Sequence, residues 1–306
     1  MVECMMVVTV KEILQMKKKL LLLGLGICLL FTACSGKNAA ENTKQQEENT
    51  DDKEETKKDK EEEKEKEDFP EEAGVELTKV PEVTFTDYSK NVTDEESGVL
   101  LLSVTENSPV VSIPENEAAA EKINMAFEQK HAETQTYIEE DTELAKSVYE
   151  ELSEEEKKEW SGYGYGSTYK MVYSSTKILS MEAQSYQWQG TPHPNTWTSA
   201  YCFDASTGKL LSLSDIFEDK AAAGKIVEEH ILKKITEDPY KDGLMEDYES
   251  FVPDVLTEDV FYLNDKGLVV ICNPYILTSY ASGVIEIEVP YEALKDVMKE
   301  EYLLKQ

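Results

Sequence analysis

Few residues in this sequence are spaced to do covalent chemistry. Its three histidines, His131, His193 and His230, fall on separate predicted elements. None stands in a His-Glu-x-x-His or Cys-x-x-Cys pattern that would put metal ligands on one face. No Gly-x-Ser-x-Gly elbow and no Gly-Lys-Ser/Thr phosphate loop occurs. The glycines of Gly162-Tyr163-Gly164-Tyr165-Gly166 lack a strand before and a helix after them, so they predict a flexible turn or edge, not a pyrophosphate cradle. His193 sits between Pro192 and Pro194, which fix an extended loop around it. One metal pattern stands out between Asp238 and Glu249. Asp238, Asp242 and Glu249 occupy the first, fifth and twelfth places of a calcium loop, Gly243 the sixth, and Glu246 lies between. Tyr240 stands where a third carboxylate belongs, and an acidic helix-loop-helix gives such spacing by chance more readily than by function.

Cys34 has the clearest assignment. Lys17, Lys18 and Lys19 precede an apolar run from Leu20 to Leu30, after which comes Phe31-Thr32-Ala33-Cys34-Ser35-Gly36. The run is short of the roughly 20 residues that a membrane-spanning helix needs. It predicts a signal peptide over residues 1–33, with Met16 as the working start. The residues around Cys34 resemble the lipobox of bacterial lipoproteins, apart from Phe31 in place of an aliphatic residue. That resemblance implies a lipidated Cys34 at the mature N-terminus and an extracytoplasmic chain held on the cell membrane by its lipid alone.

Residues 34–74 form the lipidated start and a charged spacer, too poor in apolar groups to build a core. Residues 1–50 carry 6 Lys and 5 acids and residues 51–72 carry 6 Lys and 13 acids. Of the formal net charge of −32, a full −26 therefore falls on residues 73–306. Such a surface excludes nucleic acid and electrostatic docking on anionic lipid. It attracts cationic partners, or simply keeps the chain soluble. Cys202 and Cys272, each inside an apolar pattern, read as buried thiols ahead of a disulfide.

Strands are predicted at Gly98–Val104 and Val110–Ile113, then a long helix opened by Pro114 and buried through Ile123, Phe127, Thr134 and Ile138. His131 lies on the same stripe and reads as a core or boundary residue. A charged helical stretch covers Ser153–Trp160, strand patterns cover Tyr169–Tyr186 and Thr196–Phe203, and Asp204–Lys209 is a turn. Ser214 is expected to cap a short turn, and a helix runs from Lys220 to Ile235. Asn264-Asp265-Lys266-Gly267 marks a hairpin, Ile285–Val289 a last strand and Tyr291–Leu304 a closing helix. Blocks of strands and helices predict an α+β fold, mainly antiparallel sheet with packed helices, as two consecutive lobes or one composite domain. The lobes are expected at 75–190 and 191–306.

Five motifs in order carry a family resemblance: Thr191-Pro192-His193-Pro194-Asn195; Tyr201–Asp204 through Thr207–Phe217; Phe261-Tyr262-Leu263 with Lys266-Gly267-Leu268; Asn273-Pro274-Tyr275 with Tyr280-Ala281-Ser282-Gly283; and Glu288-Val289-Pro290-Tyr291. This part is similar to the extracellular domain of RsiV-type anti-sigma factors, which also accompanies PdaC-type peptidoglycan deacetylases, and Val75–Trp188 is similar to its companion segment. The resemblance implies a non-enzymatic recognition module, with no cofactor, for a cationic protein such as lysozyme or for a peptidoglycan component. A peptidoglycan hydrolase or deacetylase-associated protein and a calcium-dependent surface protein stand as alternatives. A binder would carry an aromatic patch rimmed by carboxylates, for which Trp188, His193, Trp197, Tyr275 and Tyr280 are the candidates. Replacing Cys34 by Ser should abolish incorporation of a palmitate analogue and release the chain from membranes. Equal labelling of both proteins would refute the anchor.

Overall fold

The Val- and Leu-rich stretch around residues 100–112 forms one strand where two were expected, because Thr105–Pro109 continues the extended backbone. A computed structural model describes residues 74–304. The predicted signal peptide, Cys34 and the spacer before Gly74 lie outside the described residues. Strands β1 (Glu82–Asp87) and β2 (Lys90–Thr93) lie end to end, antiparallel, along one side of β3 (Leu100–Ser112). Along its other side runs β4 (Tyr163–Ser174), parallel to it. A parallel pair needs a long crossover, and helix α1 (Glu117–Glu151) supplies it. Asn116 caps α1 by accepting from the Ala119 N–H at 3.1 Å. A short helix α2 (Glu154–Glu159) follows, closed by a Ser153–Glu156 capping box.

The Gly-Tyr alternation is the start of β4, inside the sheet, and not the turn expected. Gly162, at φ +79°, makes the entry bend. Beyond it Tyr163 and Tyr165 face α1, whereas Gly164 and Gly166 leave room for the Tyr186 ring of the next strand. The long pattern Tyr169–Tyr186 is a hairpin, β4 with β5 (Ile178–Trp188). Its bend is fixed by the Ser175 hydroxyl, which accepts from the N–H groups of Lys177 at 3.2 Å and Ile178 at 2.9 Å. Strand β6 (Asn195–Asp204) completes the order β1-β3-β4-β5-β6, with β2 beside β3. Residue 190, the expected division between lobes, falls in the β5–β6 connection, within this one sheet.

Helix α1 covers one face. Ile123 and Phe127 meet Leu179, Met181 and Phe203, while Ile138 and Ala145 farther along meet Leu102, Val104 and Tyr165. Phe127 is packed edge-on to Tyr169 and Tyr201 at ring separations of 5.4 and 5.8 Å.

A second, three-stranded antiparallel sheet, β7 (Phe261–Leu263), β8 (Gly267–Cys272) and β9 (Ile285–Pro290), packs on the opposite face at β5 and β6. With it come α3 (Leu213–Ile216) and α4 (Lys220–Ile235), whose Val227, Ile231 and Ile235 are fully buried. Ser212 caps α3 where Ser214 was expected, since its side chain reaches the Asp215 N–H in a capping box. The closing helix shrinks to one turn, α5 (Tyr291–Leu294). After it the chain pairs with the end of α3, through Glu218 N–H to Val297 O at 2.8 Å and Lys299 N–H to Ile216 O at 2.9 Å. Residues 295–297 turn back on Leu294, Met298 forms a single bridge to Phe217, and Val297 and Met298 are buried.

The fold is thus α+β and mainly antiparallel. Cys202 and Cys272 are free and buried, and burial pushes both thiols up to about 11. Phe127 is the pivot of the α1 face, 1 % exposed. Phe127→Ala should cost about 3–5 kcal/mol, read from the urea midpoint; a loss below about 1 kcal/mol would show that α1 does not depend on this contact.

Candidate functional site

Two connections define the most structured surface: the turn between β5 and β6, and the long segment Asn273–Val284 between β8 and β9. Trp188 ends β5 and turns its indole N–H to the Thr191 carbonyl at 2.6 Å. The Thr191 hydroxyl then donates to the His193 carbonyl at 2.8 Å. The turn is thereby fixed from within, and His193 stands out from it.

Asn273 anchors the second connection. It is buried, 1 % exposed, and its side chain acts as a piece of neighbouring strand for β6. Its Oδ1 accepts from the Thr198 N–H at 2.7 Å and its Nδ2 donates to the Thr198 carbonyl at 2.8 Å. Pro274 follows, and Tyr275 takes φ +67°, a left-handed conformation that costs an ordinary residue about 1–2 kcal/mol. The bend is closed by Tyr275 N–H to Thr278 O at 2.8 Å. Behind it, Ser279 N–H donates to Gly243 O at 2.8 Å and Met245 N–H to Leu277 O at 3.0 Å.

These anchors bring His193 against two tyrosines 82 and more residues away in sequence. The imidazole stacks on Tyr280 with centroids 4.0 Å apart and planes 15° off parallel. Tyr275 completes the group, 5.9 Å from Tyr280 and 28° off the plane of His193. His193 Nδ1 lies 3.1 Å from the Pro194 carbonyl, which can only accept, so Nδ1 carries the proton. Nε2 is then the acceptor for the Tyr275 hydroxyl at 3.1 Å. The result is an exposed aromatic platform with polar edges, and Tyr275 is 50 % exposed. Its one hydroxyl beside a base, the Tyr275 phenol on His193 Nε2, ties the two loops together. It can stack on a flat or ring-shaped group, face a cation, or serve as an anchor that a partner desolvates.

The structure joins four of the five candidate residues: Trp188 braces the turn, and His193, Tyr275 and Tyr280 form the platform. Trp197 is apart, on β6 opposite Ser185 and 39 % exposed, with no ring contact to the platform among the described residues. His131 is a boundary residue, as its position on the α1 stripe suggests. Its Nδ1 lies 2.6 Å from the buried Glu106 and its ring stacks on Tyr88 at 4.1 Å. His230 bonds the Ile226 carbonyl of its own helix at 2.8 Å.

Around Asp238, Asp242, Glu246 and Glu249 the chain forms 3-10 turns at Tyr240–Gly243 and Tyr248–Asp254, not the second helix of an EF-hand. Asp238 pairs with Lys241 at 2.8 Å, and no group of three or more potential metal ligands gathers among the described residues. Gly243 lies against Ser282, where a side chain would collide, so packing on the Tyr280–Ser282 turn accounts for that glycine. From sequence Asn273 entered only as part of the Asn273-Pro274-Tyr275 motif and was given no role, although a lone Asn closing the buried run Gly267–Cys272 was the available signal.

Comparison with known proteins finds two matched segments. Residues 96–196 match the family described as "Deacetylase PdaC", and residues 214–292 match "Protein of unknown function (DUF3298)". A solved DUF3298 family structure from Bacteroides fragilis is similar at a TM-score of 0.50 and 21 % identity, covering 72 % of this chain and 96 % of that one. Another, from Pseudomonas aeruginosa, has a TM-score of 0.50 and 14 % identity, with 74 % and 97 % covered. These likenesses are ones of fold. No curated protein matches the chain. The resemblance carried by the ordered motifs is therefore met in both segments.

Asn273→Ala would strand the N–H and carbonyl of Thr198. A loss of roughly 1–3 kcal/mol should follow, with faster backbone motion at residues 274–280 in amide relaxation. Unchanged relaxation would mean that the platform is held by its other contacts alone.

Proposed function

We propose that this chain, which joins a segment similar to PdaC-type deacetylases to a DUF3298 segment, is a non-enzymatic recognition module. It is anchored through lipidated Cys34 on the outer face of the cell membrane. Its ligand is a cationic protein such as lysozyme, or a peptidoglycan component. Both matched segments support a place in the cell envelope. The observation that carries the reading is the platform of His193, Tyr275 and Tyr280. Two distant loops are pinned, one through a left-handed tyrosine, to hold His193 and Tyr275 exposed beside a half-buried Tyr280. Core packing gains nothing from rings left half in water, and a partner that covers them gains most of their apolar area.

Charge supplies the second element. With −26 on residues 73–306, a basic protein is drawn in from a distance while acidic ones are repelled. That attraction fades when the Debye length falls to about 3 Å at 1 M salt. Stacking and desolvated contacts at the platform persist, so specific binding leaves a salt-resistant remainder. Calorimetry against lysozyme at low and high salt should show it, and Tyr275→Ala should weaken it roughly thirtyfold, as loss of an anchor worth about 2 kcal/mol does. If lysozyme binds no tighter than an equally basic unrelated protein, the assignment of this ligand fails.

A further inference from the structure

A cleft of about 220 Å³ opens between the large sheet and β9, lined by Thr168, Lys170, Glu182, Gln184, Thr198 and Glu286. At its base Glu182 is only 4 % exposed. One carboxylate oxygen, Oε2, is paired with Lys170 Nζ at 2.7 Å. The other, Oε1, is buried and has no hydrogen-bond partner. A second carboxylate, Glu286, lies within hydrogen-bonding reach of Glu182, so that the pair can share one proton, and its Oε2 also accepts from the Tyr262 hydroxyl at 3.1 Å. Other buried carboxylates of the described chain are satisfied: Glu106 by His131 and Gln135, Asp141 by Gln187 and Gln189, Asp204 by Lys177 and Ser206. Glu182 alone faces a like charge with an oxygen left bare, a costly arrangement unless a donor enters.

We propose that this cleft is a binding site for an organic ammonium group of the lysine side-chain type, inserted between Glu182 and Glu286. An ammonium has three N–H donors and no acceptor. It would give one to each carboxylate and a third to the oxygen of Gln184, Thr168 or Thr198. Val284 offers its alkyl stem an apolar wall. The volume suits one side chain, being of the order of a cavity that holds benzene or slightly larger. Lys170 already serves Oε2, so the lining keeps one net negative charge, and an incoming monocation neutralises it. Glu286 is exposed and is held through its carboxyl group by Tyr262 and Glu182, so the ammonium enters as that carboxyl swings aside. Burial pushes the Glu182 carboxyl above its usual range, Lys170 pulls it down and Glu286 raises it again, so that burial and the neighbouring acid outweigh the one lysine.

The test is a titration of the full chain with n-butylammonium chloride, followed by amide shifts at Glu182, Thr198 and Glu286. Saturable shifts are expected. Tetramethylammonium, which has the charge but no N–H, should fail to produce them. Glu182→Gln, which fills the gap with its own amide, should fold and weaken butylammonium binding roughly thirtyfold or more; Glu286→Gln should weaken it as well, while Tyr275→Ala leaves it unchanged and so separates this site from the lysozyme platform. Equal shifts with tetramethylammonium would overturn the proposal. So would calcium binding in place of the amine, a stronger response to glucosamine, or no saturable response, which would leave a shared proton as the occupant of the gap.

Discussion

Residues Ile178 to Ala183 of β5 are buried whichever way they point, so a single strand is a wall of two cores. Leu179 and Met181 face α1, whereas Ile178 packs into the core beneath the small sheet. Ser180 on that second face donates to the Leu263 carbonyl at 2.7 Å and so fixes β7 against the large sheet. Because the side-chain period of a strand is two, shifting β5 by one residue would exchange both cores at once. Its register is accordingly over-determined, by β4 on one side and β6 on the other. Everything at the surface follows from that wall. It sets where β6 begins, and hence where His193 meets Tyr275 and Tyr280.

Polar groups placed on the wall are few and each has a task. Asn273 stands in for a missing strand, so the outer edge of β6 at Thr198 is paired and not left open to another chain. Glu182 is the exception that lacks a full set of donors. Its environment differs from that of Asp204. There burial also pushes the carboxyl up, but Lys177 and the Ser206 contacts outweigh it and hold the group below the usual carboxylate range. All 31 basic residues of the chain are lysines. Without guanidinium forks, a buried acid relies on one ammonium point charge and on neutral donors. That leaves an oxygen uncovered where, as at Glu182, no amide or hydroxyl donates to it.

Much of this was legible in sequence where one physical rule acted alone. The stripe Ile123, Phe127, Thr134, Ile138 is a helix face, and Asn264–Gly267 is a hairpin. Misreadings came where tertiary contacts override local pattern. The glycines at 164 and 166 look like a turn until the Tyr186 ring is seen to need their space. The last residues look helical until their backbone is taken by the end of α3. The platform was half legible: aromatic candidates could be named, but stacking across 82 residues depends on Asn273, which no periodicity reveals. Trp197 was chosen by type, and type does not tell which side of β6 a residue occupies.

The central claim is that the loops carrying His193, Tyr275 and Tyr280 are the face a cationic partner covers. Hydrogen exchange of the chain with and without saturating lysozyme tests it most directly, because backbone amides report coverage without any mutation. The account predicts slowed exchange at residues 189–195 and 274–283, with the outer surface of α1 unchanged. Slowing confined to α1, or spread evenly over the acidic surface, would contradict it.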